Sequence, residues 1–194
     1  MGSIFTAYDN TKDIVPEWCG TVGAQPASGT LTVVRRRIGD EIIFDITGSA
    51  FRLTVTDAAG SGSSASHKVI SGVPAGYYAI TGSYKQTAAA EGSALTTAAG
   101  DAAYIVAFGT VAANAGDGAL TGTEVDILAA TSTITNSGGT GTGTKYTTAG
   151  LAYDGAAAAF DIYLNWSGSA ATIDANSTID LTFTAKLILR KLTV

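Results

Sequence analysis

The sequence predicts an all-β protein: an antiparallel β-sandwich, jelly-roll-like, of about eight or nine strands with an extended N-terminal arm. Three observations carry this. In the last stretch Ile179, Leu181, Phe183, Ala185, Leu187 and Leu189 alternate with Asp180, Thr182, Thr184, Lys186, Ile188 and Arg190. A period of two held over a dozen residues buries one face of a strand and wets most of the other. The same alternation recurs in shorter pieces divided by Gly, Ser and Asp. No segment carries large apolar residues at helical spacing.

Residues 1–30 read as the arm. They hold Ile4, Phe5, Tyr8, Trp18 and Cys19, broken by Pro16, Pro26 and several glycines, with no clear period. Such bulky groups need burial, in the arm's own domain or on another subunit, which makes Ile4, Phe5, Tyr8 and Trp18 candidate partner-binding residues. Residues 31–194 read as one sandwich domain.

The first strand covers residues 31–38 and ends at Gly39-Asp40. The second covers 41–47, with Ile42, Phe44 and Ile46 on one face. Gly48-Ser49 separates it from a third over 50–57, where Phe51, Leu53 and Val55 alternate with Arg52, Thr54 and Thr56. Both dipeptides read as two-residue hairpin turns. Residues 58–66 have a loop composition, and 67–71 could make a short strand. Residues 77–85 form an aromatic-rich strand. Residues 87–100, mostly Ala, Thr and Gly, read as a loop. Strands are expected at 102–110 and 121–130, and a flexible loop at 137–144. Phe160, Ile162, Leu164 and Trp166 then share one face of a strand over 158–166. The long final strand closes the chain.

The chain has 194 residues, enough for one domain with a substantial core, since ~150 residues already bury about 68–70% of the extended-chain surface. Only 14% are charged, against about 25% in ordinary globular proteins. That suits tight sheets and a surface partly covered by neighbours. The net charge of −5 weighs against a dedicated nucleic-acid binder, which uses a basic face. The one basic run is Arg35-Arg36-Arg37. On a strand Arg35 and Arg37 point one way and Arg36 the other. Arg35 and Arg37 are candidates for meeting an acidic partner; a solvated face is the plain alternative. A single cysteine permits no internal disulfide. No signal-peptide pattern and no apolar run of about 18 residues is visible, so synthesis in a host cytoplasm and no membrane contact are expected.

Chemical motifs are weak. His67 is the only histidine and follows a Ser/Gly loop, so neither a hydrolytic triad nor a Cys/His zinc site has its parts. The glycine run 138–146 lacks the Gly-Lys-Ser/Thr ending of a phosphate loop. Asp174, Asn176 and Asp180 resemble a calcium loop only loosely, because its glycine and its final Glu are missing. Asn165-Trp166-Ser167 and Asn176-Ser177-Thr178 match the glycosylation pattern. Glu124 and Asp126 on one strand face could pair for glycoside chemistry, or lie on a solvated face. Tyr77, Tyr78, Tyr84, Tyr146 and Trp166 could form a sugar-stacking platform or pack in the core. No catalytic residue, cofactor or metal is expected.

Residues 149–194 (AGLAYDGAAAAFDIYLNWSGSAATIDANSTIDLTFTAKLILRKLTV) resemble the carboxyl-terminal part of structural proteins of tailed-phage virions. The shared shape is an aspartate-bearing start, a strand ending in Leu-Asn-Trp, an Asp/Ala turn and a long Thr-rich last strand. The nearest likeness is to phage head decoration, or capsid cement, proteins with jelly-roll-like folds. The resemblance implies a homo-oligomer, a trimer before a dimer, bound outside the assembled capsid to the major capsid protein. The alternatives are another virion component of tail, baseplate or fibre, and a carbohydrate-binding or adhesive sandwich module.

Overall fold

A computed structural model describes residues 19–58, 62–91, 104–114, 119–133, 140–141, 151–154, 158–168 and 178–192. Twelve strands run through them. In chain order they are β1 (Thr21–Val22), β2 (Thr30–Ile38), β3 (Glu41–Thr54), β4 (Thr56–Ala58), β5 (Gly62–Val73) and β6 (Tyr77–Glu91). After these come β7 (Tyr104–Gly109), β8 (Leu128–Thr133), β9 (Thr140–Gly141), β10 (Leu151–Asp154), β11 (Phe160–Gly168) and β12 (Thr178–Lys191).

They form two antiparallel sheets. One has the order β2-β3-β12-β6-β10, with β9 also on β6; the other has β1-β5-β11-β7-β8, with β4 also on β5. The eight principal strands β3, β5, β6, β7, β8, β10, β11 and β12 pair as first with last, second with seventh, third with sixth and fourth with fifth. A long hairpin wrapped round itself has this nesting, which is the topology of a jelly roll. Strand β2 adds a further edge beside β3.

The inward residues of both sheets make one apolar core. Aromatic rings bridge it. Phe183 on β12 meets Phe51 at 5.7 Å and Tyr84 at 5.4 Å, and Tyr84 reaches Phe108 of the opposite sheet at 6.2 Å. The two edge-to-face pairs among these, Phe51–Phe183 and Tyr84–Phe108, add about 0.5–1.5 kcal/mol each beyond area burial. The Tyr84 hydroxyl donates to Gln86 Oε1 at 2.9 Å inside the core, and burial pushes its pKa up.

Gly39-Asp40 turns the chain as expected, with Ile38 opposite Glu41 and Gly39 at φ +58°. Gly48-Ser49 does not. Strand β3 runs on through it, and Ser49 and Ala50 together oppose Thr182 alone between the pairs Gly48–Phe183 and Phe51–Leu181. The Gly-Ser signal therefore marks a β-bulge, where one extra residue sharpens the twist without reversing the chain. The register beyond the bulge keeps Phe51 and Leu53 in the core.

Three other expectations are corrected. The short strand of 67–71 is the middle of β5, which pairs with β11 over its length. The loop of 87–100 begins as strand, because β6 continues to Glu91 beside β12. Residues 121–130 are not one strand: Gly122–Glu124 is a 3-10 turn and β8 begins at Leu128. There Glu124 is buried and accepts from the N–H groups of Asn114 and Thr121, both at 2.9 Å, which holds the backbone in a turn.

Candidate functional site: an outward sheet face

The outward face of β2, β3, β12 and β6 is built by the alternation that fills the core. Each strand turns its even- or odd-numbered partners away from Phe44, Leu187 and Ile80. Four cross-strand rows result, read from β2 to β6: Ile38-Glu41-Arg190-Ala79, Arg36-Ile43-Ile188-Thr81, Val34-Asp45-Lys186-Ser83 and Thr32-Thr47-Thr184-Lys85. Opposed charges stabilise such pairs. Arg190 holds Glu41 Oε1 through Nη2 at 2.6 Å and Nε at 3.0 Å. Arg36 donates to Asp45, whose second oxygen lies 3.9 Å from Lys186 Nζ. Further along, Arg52 and Asp180 form a two-bond pair at 2.7 Å each, which raises the Arg52 pKa. Between the third and fourth rows lies an open depression of about 350 Å³, lined among others by Asp45, Thr47, Ser83, Lys85, Thr184 and Lys186.

Large apolar groups also emerge here. Among the described residues five are exposed: Val34, Ile38, Tyr77, Val111 and Leu192. Val34 and Ile38 stand on the rows above. Tyr77 precedes Ala79 on the same face, and its carbonyl accepts from Leu192 N–H at 2.8 Å. Four of the five thus gather on this sheet.

Arg35 and Arg37 are both engaged within the molecule. The Arg35 guanidinium donates to the Gly20 carbonyl, and Arg37 Nε donates to the Gly39 carbonyl at 2.6 Å. Burial pushes the Cys19 thiol pKa up, and the charges of Arg35 and Arg37 oppose that shift. Ile4, Phe5, Tyr8 and Trp18 lie outside the described residues. From Cys19 onward the chain is against the sandwich: β1 pairs with β5, and the Gln25 amide bonds both backbone groups of Leu31 at 2.9 Å.

The weaker motifs resolve into structure. His67 stacks edge-on against Phe51 at 4.9 Å, with Nε2 at 2.7 Å from the Ala24 carbonyl. Tyr78, Tyr84 and Trp166 are buried, which removes them from any sugar platform; Tyr146 lies outside the described residues. Asp126 accepts from Thr110 N–H and Oγ1 at 2.8 and 2.7 Å and does not share an outward face with buried Glu124. Burial pushes the Asp126 carboxyl up, opposed by these bonds. Asn165 is buried, donating to the Val111 and Glu124 carbonyls and accepting from Ser66 and Ala113, so its side chain is closed to a glycan in the folded protein. Asp180 is committed to Arg52, while Asp174, Asn176 and all but Thr140–Gly141 of the glycine run lie outside the described residues. Among the described residues no group of three or more His, Cys, Asp or Glu side chains is placed to hold a metal.

The sequence reading of the basic run stopped at β2. Lys186 and Arg190, on the polar side of the final strand, were visible as outward cations. Their meeting with Arg36 and Lys85 depends on β12 lying between β3 and β6. The molecule is, in class, a jelly-roll domain with a mixed-charge and apolar sheet face. Compared with family models, curated proteins and solved structures, the chain matches none.

Proposed function

We propose that the chain is a structural subunit of a tailed-phage virion that binds the outside of the assembled capsid and stabilises the joints between major capsid subunits. The observation that carries this reading is the outward face of the β2 sheet. It exposes Val34, Ile38, Tyr77 and Leu192 around the paired charges of β3 and β12, and exposed apolar groups gathered with polar ones mark interaction surfaces. The likeness of residues 149–194 to phage virion proteins supports it, and jelly rolls occur in viral coats as well as in other proteins. The mechanism needs no chemistry. A subunit that binds the assembled state and not the separated one stabilises assembly by mass action, and many copies multiply the effect.

The test is co-sedimentation with purified heads and, separately, purified tails of the virus that encodes the chain, alongside native mass spectrometry across a dilution series. Saturable binding to heads, and a trimer or dimer in solution or on the particle, is the expected result. Binding to tails alone moves the subunit to the tail, and binding to neither ends the virion reading.

A further inference from the structure

We infer that the half of the β2-β3-β12-β6 sheet nearest the Gly39-Asp40 turn is the docking face, and that its partner is an acidic protein surface. The inference rests on the virion reading above and adds which face binds and to what chemistry. Charge is distributed unevenly over this chain. Arg36, Lys85, Lys186 and Arg190, four of its eleven basic residues, stand on the outward face of this half-sheet, while Arg35, Arg37 and Lys191 have the opposite parity. Of its sixteen acidic residues, the four outward rows hold Glu41 and Asp45. The four outward rows therefore carry +2 and the remainder of the chain −7, within a net charge of −5. A basic field on an acidic molecule orients the approach of an acidic partner toward that field.

The arrangement fits a protein better than a nucleic acid. Carboxylates of Glu41 and Asp45 sit inside the patch, in contact with Arg190, Arg36 and Lys186, and would interrupt a line of phosphates. Exposed Val34, at 41%, and Ile38, at 55%, stand among the cations and supply apolar contact that a phosphate backbone has no use for. The cations are carried on paired strands, so little ordering is needed on docking.

The experiment compares wild-type protein with Lys85→Glu/Lys186→Glu in co-sedimentation with encoded heads stripped of this chain. Lys85→Gln/Lys186→Gln removes the same charges without placing a new carboxylate beside Asp45, and Val111→Asp is the control on an exposed site elsewhere. The expected result is a loss of tenfold or more for the Glu pair and a smaller loss for the Gln pair. Val111→Asp should bind as wild type does, and wild-type binding should weaken as salt rises. If wild type binds heads and both Lys pairs bind equally well, the docking face is elsewhere while the virion reading stands. If wild type binds neither heads nor tails, both fall together. Tight binding of wild type to duplex DNA at physiological salt, lost in the Glu pair, would overturn the protein partner in favour of nucleic acid.

Discussion

Ala50 is the described non-glycine residue with a positive φ, at 44°, and it sits in the bulge of β3. The left-handed region costs an L residue about 1–2 kcal/mol, which glycine avoids at some expense in unfolded-state entropy. Ala50 N–H donates to Thr182 Oγ1 at 3.2 Å, so the bulge is held from across the sheet. Ala50→Gly is expected to stabilise the fold by up to about 1 kcal/mol in urea titration, and a clear loss would show that the strain is absent. Close approach acts beside it: a Cβ on Gly29 would lie 2.0 Å from the Ala50 carbonyl oxygen.

Asp161 gives a pH signature at the same scale. Burial pushes its carboxyl up, but bonds from Lys68, from Gly72 N–H at 2.9 Å and from the Ser71 hydroxyl at 2.9 Å outweigh that and lower its pKa. A lowered carboxyl pKa stabilises the fold above the ordinary aspartate value, and that part is lost as pH falls through the folded value. Asp161→Asn should therefore flatten the acid limb of the melting-temperature curve below about pH 4. An unchanged slope would mean that other carboxylates set it.

At the scale of the element, the decisive strand is β12, which lies between β3 and β6 and pairs with both over nearly its whole length. Its alternation was legible in the sequence because one face had to be apolar on every second residue. The bulge was not, since Gly-Ser serves a turn and a bulge equally well. Only the pairing of Phe51 with Leu181, and the burial of both, chooses between them. Likewise Glu124 and Asp126 alternate with Val125 and Ile127 as a strand would, and it is the backbone N–H groups of other segments that recruit the two carboxylates.

Strand β2 is an edge, and edges invite pairing with other chains. Gln25 covers part of it by bonding the Leu31 N–H and carbonyl with one amide. Gln25→Ala should cost about 1 kcal/mol, the net worth of one or two such bonds, and raise concentration-dependent association seen by light scattering. A variant as stable and as monodisperse as the parent would deny the side chain this role.

At the scale of the molecule, the nested pairing joins residues far apart in the chain, as when β3 meets β12. The N-terminal segment adds a boundary that can be tested. Deletion of residues 1–18 keeps every described residue and should reduce binding to heads. Deletion of residues 1–25 also removes β1, buried Cys19, the Gly20 acceptor of Arg35 and Gln25. It should lower the melting temperature by several degrees, about 4 °C or less for each kcal/mol lost at this size. Equal melting temperatures for the two deletions would show that residues 19–25 do not brace the sandwich.

The sequence by itself determined that the protein is built of antiparallel strands, where most of them run, and which face of each is buried. Those properties follow from local periodicity, and a period of two reports on a single strand without reference to its neighbours. It also showed Arg35–Arg37 as a basic run and Lys186 and Arg190 as outward cations. Only the tertiary structure decided that Arg36, Lys85, Lys186 and Arg190 share one face, that Arg35 is turned to Gly20, that Asn165 is sealed beneath the 3-10 turn, and that Gly48 begins a bulge. Strand order and register are set by long-range burial and hydrogen bonding between segments more than a hundred residues apart, and no pattern within one segment records them.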